Sequence, residues 1–157
     1  MPDDRWLEDF RPGETAEFGD YEMTEADIIA FATRYDPQPF HTDPEGARAS
    51  PFGGLIASGW HTAAAMMRLL VDHWVPPRAS LGSPGIDELR WLIPVRPGDR
   101  LRVRVTVEEA RRSRSKPDRG VVRSLTEVLN QDGAVVMTAC GLVLFRARPT
   151  GTGAFGA

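Results

Sequence analysis

The stretch Asp36-Pro37-Gln38-Pro39-Phe40-His41-Thr42-Asp43, followed by Phe52-Gly53-Gly54-Leu55-Ile56-Ala57-Ser58-Gly59-Trp60, decides how this chain is read. It carries a carboxylate and an imidazole five positions apart, on a segment stiffened by two prolines. A Gly-rich turn then runs into the most apolar helix-like pattern of the chain. Together these parts suit acid–base chemistry beside a helix N-terminus, where developing negative charge is stabilised.

Upstream, residues 5–13 read as an irregular lead-in closed by the turn signal Arg11-Pro12-Gly13. Residues 14–21 have the pattern of an edge strand. Thr24 reads as the N-cap of a helix with acids in its first turn and Ile28, Ile29, Phe31 and Ala32 as its apolar face. That helix is expected to end near Tyr35, because Pro37 disfavours helical backbone at Asp36. From 36 to 54 the prolines and glycines exclude a regular strand, and Asp43-Pro44 opens one short helical turn with Asp43 as its cap.

Downstream, a long helix is expected over 58–74, ended by Pro76-Pro77. Trp60, Ala63, Ala64, Met67, Leu70, Val71 and Trp74 fall on one stripe at helical spacing, read as core. Beyond Gly82-Ser83-Pro84-Gly85 the pattern changes to strands over 86–93, 101–107, 121–129 and 134–145. Residues 134–145 are apolar on both faces and predict a central strand covered on both sides. The fold class is therefore α+β: one long helix wrapped by a late antiparallel sheet, a single domain over 1–148 with a disordered tail over 149–157. Such a sheet leaves a face and edges open, which a homodimer would close.

Composition narrows the function. At 157 residues and a net charge of -3, nothing favours nucleic acid or an anionic membrane as partner. No apolar run approaches the roughly 20 residues that span a bilayer, and the polar start of the chain is not expected to act as a secretory leader. The lone cysteine, Cys140, excludes an intramolecular disulfide and a thiolate metal site, and it reads as a buried, inert thiol. His61 and His73, twelve positions apart without an acidic partner, read as structural or exposed; no metal is expected. A reducing cytoplasm is the expected location.

The quoted stretch, with Ala47 beside it, resembles the MaoC-like acyl dehydratases, which include the (R)-specific enoyl-CoA hydratases and have the hotdog fold. Gly85-Ile86-Asp87-Glu88-Leu89-Arg90-Trp91 and Pro94-Val95-Arg96-Pro97-Gly98-Asp99 resemble the family's strand and turn after its central helix. The resemblance covers roughly residues 10–147. It implies that Asp36 and His41 are a catalytic pair, and that the Gly59 backbone N–H holds the thioester oxygen. The bare Cα of Gly59 is expected to let substrate approach the backbone. The chain departs from the pattern at Gln38, where such hydratases usually have Asn, and at Ser58, where they often have His.

The implied activity is reversible addition of water to a trans-2-enoyl thioester. The thioester is the substrate, on coenzyme A or an acyl carrier protein, and no separate cofactor is expected. Gln38, Ser58 and Trp60 are candidate substrate contacts, with Ser58 also a candidate N-cap. In the basic run, Arg112, Arg114 and Lys116 are candidate contacts for coenzyme A phosphates, or else a solvated strand end. Two other functions compete. A hotdog thioesterase commonly places an acid on or near the central helix, and none lies between Gly53 and Leu70. A non-catalytic acyl-binding subunit tends to lose the Asp/His pair, which this chain keeps.

Overall fold

The computed structural model describes residues 4–150. The tail expected to be disordered falls, from residue 151 onward, outside them. After a 3-10 turn at Leu7–Asp9 come β1 (Thr15–Glu22), α1 (Glu25–Tyr35), the short turns α2 (Pro39–Thr42) and α3 (Pro44–Arg48), and α4 (Gly59–His73). β2 (Gly85–Trp91), β3 (Arg100–Arg112), β4 (Arg119–Leu129) and β5 (Val135–Arg146) follow. All five strands form one antiparallel sheet in the order β1-β3-β4-β5-β2. The early strand and the one after the long helix thus sit at opposite edges, with the late meander between them.

Local chemistry accounts for the helix boundaries. Thr24 Oγ1 accepts from the Asp27 N–H at 3.1 Å and caps α1. Asp43 caps α3 through the Glu45 N–H at 3.1 Å, with Pro44 at its first position. A further turn, α2, begins at Pro39 and places His41 on helical backbone. In β3, Leu101, Val103, Val105 and Val107 point into the core while the residues between them are half-exposed, as the period-two pattern requires.

The core lies between the sheet and α4, which packs on β1 and β3. The buried face of α4 is His61, Thr62, Ala65, Met66 and Leu69. The stripe read as core is therefore split: Trp74 is buried and Ala63 and Leu70 are half-buried, but Trp60, Met67 and Val71 are 60%, 46% and 53% exposed. The physical reason is that α4 is apolar on two sides, so spacing alone does not select the side facing the sheet. The selection is made by β1, where the side chain of Leu69 fills the space left by Gly19.

β5 is internal but stands next to the edge, and β4 is the middle strand. Val136, Met137, Ala139 and Phe145 are buried, whereas the strand's other positions are half-covered within the chain, apart from exposed Arg146. Cys140 is among the half-covered ones, a correction to its reading as a buried thiol. The outer edge, β2, carries exposed Ile86 and Trp91, followed by exposed Leu92 and Ile93. No helix among the described residues is long and apolar enough to cross a membrane.

Candidate active site

The site forms where α1 ends, α4 begins and the β2–β3 connection passes between them. The Met23 N–H donates to Asp99 O and the Gly98 N–H to Met23 O, each at 2.8 Å, tying the start of α1 to that connection. The Ala57 N–H donates to Val95 O at 2.8 Å and fixes the approach to α4 from the same segment.

Asp36 is the C-cap residue of α1, its N–H donating to Ala32 O at 2.8 Å. Gln38 Nε2 donates to Asp36 Oδ1 at 2.7 Å, and Ser58 Oγ donates to Asp36 Oδ2 at 2.8 Å. The Gln38 bond first, then the Ser58 bond and the nearby His41 charge, hold the Asp36 carboxyl below its usual range against the opposing effect of partial burial. The group is thus kept ionised.

His41 is buried, and its Nδ1 lies 2.7 Å from Ile56 O. A carbonyl oxygen only accepts, so Nδ1 carries the proton in that bond. This leaves Nε2 facing Asp36 Oδ2 at 3.3 Å. The Ile56 N–H donates back to Phe40 O at 3.1 Å, so the loop that orients the imidazole is itself held on both sides.

Ser58 is fully buried and has two roles at once. Its Oγ accepts from the Trp60 N–H at 3.3 Å, capping α4, while its hydrogen goes to Asp36. The helix N-terminus and the carboxylate are thereby joined through one hydroxyl. The first N–H groups of a helix have no acceptor within it. Trp60's is taken by Ser58, and the Gly59 N–H has no acceptor among the described residues. Asp36, His41 and Gly59 line one cavity of about 350 Å³, with Phe40, Phe52, Trp60 and Trp91 as aromatic walls.

The structure places the other residues singled out in the sequence as follows. Gln38 and Ser58, read as substrate contacts, are both bonded to Asp36, and neither lines the cavity. The space beside the Gly59 Cα is filled by the Trp91 indole instead of being left open for substrate. Arg112, Arg114 and Lys116 line a separate cavity at the far end of β3. A strand of that length runs roughly 40 Å, so within one chain they stand well away from Asp36. Arg112 is also committed to Glu8 and to Pro117 O. Trp60, by contrast, stands on the cavity wall.

Two features had no signal in the sequence. The Ile56 carbonyl that sets the imidazole tautomer belongs to no side-chain pattern. His61 is buried and stacked on Phe31 at 4.8 Å and 8°, with its Nδ1 unpartnered. Burial pushes its pKa below the ordinary value, against the charge of Asp27. Among the described residues no group of three or more His, Cys, Asp and Glu side chains could hold a metal ion.

Residues 9–129 match the family model described as the MaoC like domain. The chain belongs to the MaoC-like dehydratase family. A MaoC-like dehydratase from Rhodospirillum rubrum is 46% identical, with a TM-score of 0.87 over 93% of this chain and 99% of that one. R-hydratase PhaJ1 from Pseudomonas aeruginosa is 26% identical, with a TM-score of 0.73 over 94% of this chain and 96% of that one. The α+β architecture of this MaoC-like protein is thus the hotdog fold. The 3-hydroxyacyl-thioester dehydratase Z of Mycobacterium tuberculosis is 38% identical over 79 residues, half of this chain. The chain spans only part of some curated relatives: 52% of that dehydratase and 30% of Protein MaoC from Klebsiella aerogenes.

Proposed function

We propose that the protein is an acyl thioester hydratase/dehydratase that adds water reversibly to a trans-2-enoyl thioester. The observation that carries this reading is the 3.3 Å pairing of Asp36 and His41 in an apolar cavity that Gly59 also lines, its N–H without an acceptor among the described residues. The substrate is an acyl group on coenzyme A or on an acyl carrier protein, since both present the same phosphopantetheine arm.

In this reading the thioester oxygen accepts from Gly59 N–H and C3 lies toward the Asp36/His41 pair. A water molecule between the two side chains is oriented by His41, and its proton passes to the Asp36 carboxylate. The oxygen bonds to C3, and the π electrons move through C2 onto the thioester oxygen. Gly59 N–H and the α4 dipole stabilise that charge, and one such donor is typically worth about 2.7–4 kcal/mol in the transition state. A proton returned from the pair to C2 completes the 3-hydroxyacyl thioester. The reverse sequence is dehydration.

The reading includes a homodimer and a cytoplasmic location. The outer edge of β2 is unpaired among the described residues, and the exposed apolar side of α4 lies on the same molecule as the exposed Ile86, Leu92 and Ile93. The single cysteine accords with a reducing compartment.

The test is hydration of trans-2-enoyl-CoAs from short to long chain, followed by loss of enone absorbance, with Asp36→Asn as control. Turnover by the wild type alone is expected. A wild type that binds the thioesters but hydrates none of them would overturn the assignment.

A further inference from the structure

Resting on the hydratase reading, we propose that Trp91 is a positioning residue that clamps the first turn of α4 and thereby sets the Gly59 N–H as oxyanion donor. A Cβ built on Gly59 would stand 2.5 Å from Trp91 Nε1 and would also collide with Cε2 of the same ring. No side chain larger than hydrogen fits there while the indole is in place. The absent side chain at position 59 is accounted for by this packing.

The backbone that carries the indole is fixed by the sheet. Trp91 ends β2, where it is paired with the buried Met137 of β5, and the next residue's N–H donates to Val136 O at 2.8 Å. On its other side the ring meets Trp60 edge-on, at 5.2 Å and 81°. It thus lies against both the α4 backbone and a side chain of that same helix. The first turn of α4 is therefore held twice: Ser58 ties it to Asp36, and Trp91 ties it to the sheet through β2. An oxyanion donor must stay within about 0.5 Å of its productive position. The two ties fix the donor relative to the carboxylate, and the indole covers the flank of Gly59, so the thioester oxygen must approach along the helix axis. Trp91 acts through the Gly59 N–H and carries no proton in the reaction.

The test is a double-mutant cycle of Gly59→Ala and Trp91→Ala, with kcat and KM measured separately on the enoyl-CoA that the wild type turns over best. Trp91→Ala is expected to lower kcat by about tenfold or more with KM changed by less than about threefold, the pattern of a contribution made in the transition state. Gly59→Ala is expected to cost about thirtyfold or more beside Trp91, and less than about threefold in the Trp91→Ala background, because the two sites are coupled through one contact.

An equal cost of Gly59→Ala in both backgrounds would overturn the proposal, since substrate and not the indole would then require the bare Cα. A change in KM alone for Trp91→Ala would overturn it too, leaving the indole a passive wall. If Trp91→Ala does not fold, Trp91→Phe replaces it in the cycle. The smaller ring leaves room at Gly59, so Gly59→Ala must then cost less than it does beside Trp91, and an unchanged cost refutes the clamp. A wild type inactive on every enoyl thioester removes the hydratase reading and this role with it. Turnover without coupling removes this role alone.

Discussion

In the proposed reaction Asp36 is the base, and its surroundings make it a weak one. Two donated hydrogen bonds, from Gln38 and Ser58, favour its ionised form. The benefit is a carboxylate that stays ionised further into the acid range. The cost is lower proton affinity, which in the proposed reaction the nearby imidazole would offset by sharing the transferred proton. Asp36→Asn keeps the size of the side chain and removes its basicity. It is expected to lower kcat by about 10²–10⁴-fold, with a melting temperature near that of the wild type, measured on the same preparation. Ser58→Ala acts on the carboxylate indirectly. Losing one donated bond raises the Asp36 pKa toward its ordinary value. The proposed reaction requires the ionised form, so the acid limb of the pH–rate profile is expected to move to higher pH. The same substitution removes the α4 cap and is expected to cost about 0.5–2 kcal/mol in a denaturant titration. An unmoved acid limb together with that stability loss would show that Ser58 is a cap and nothing more.

At the scale of elements, α4 shows how far a sequence pattern reaches. Its length and both ends were legible, because Ser58 is a cap and Pro76-Pro77 cannot continue a helix. Its buried face was not. Trp60, Met67 and Val71 repeat at helical spacing as well as Thr62, Met66 and Leu69 do, and nothing local separates the two rows. What separates them is Gly19 on β1, with φ of +92°, whose missing side chain admits the Leu69 methyls. Leu69→Ala is therefore expected to cost about 2–5 kcal/mol in chemical denaturation, the range for a large-to-small change in a packed core. Had the outward row been the core, Met67→Ala would carry that cost instead. Of the two short turns α3 was legible, since Pro44 after a capping Asp43 has one good conformation, whereas α2 was not. The Asp36–Ser58 bond lay beyond such reading because it joins groups 22 positions apart. A contact of that range is made by tertiary packing of α1 against α4, and neither helix's own sequence encodes it.

At the scale of the molecule, the same outward row raises the question of what covers it. Trp60, Met67 and Val71 on α4 and Ile86, Trp91, Leu92 and Ile93 on and after β2 are exposed, the Trp60 and Trp91 rings touch edge-on, and the outer edge of β2 is unpaired among the described residues. Contiguous apolar patches of more than a few hundred Å² are uncommon on monomers, and open edges are usually paired or blocked. A second copy meeting β2 edge to edge closes both features with one symmetric contact. Specific interfaces bury about 1,200–2,000 Å² in total, an area that a seven-residue strand and a four-turn helix from each copy can supply. The protein is accordingly expected to run as a dimer in light scattering. Met67→Arg places a charge on the proposed interface while leaving the buried face of α4 untouched. It is expected to give a monomer with an unchanged far-UV spectrum. The cavity wall includes Trp60, Trp91, Leu92 and Ile93, so the site shares residues with that surface. Loss of association should therefore be accompanied by loss of hydration activity, although Met67 does not line the cavity. A fully active Met67→Arg monomer would show that one chain completes the site alone, and a wild type that is monomeric at high concentration would remove the dimer.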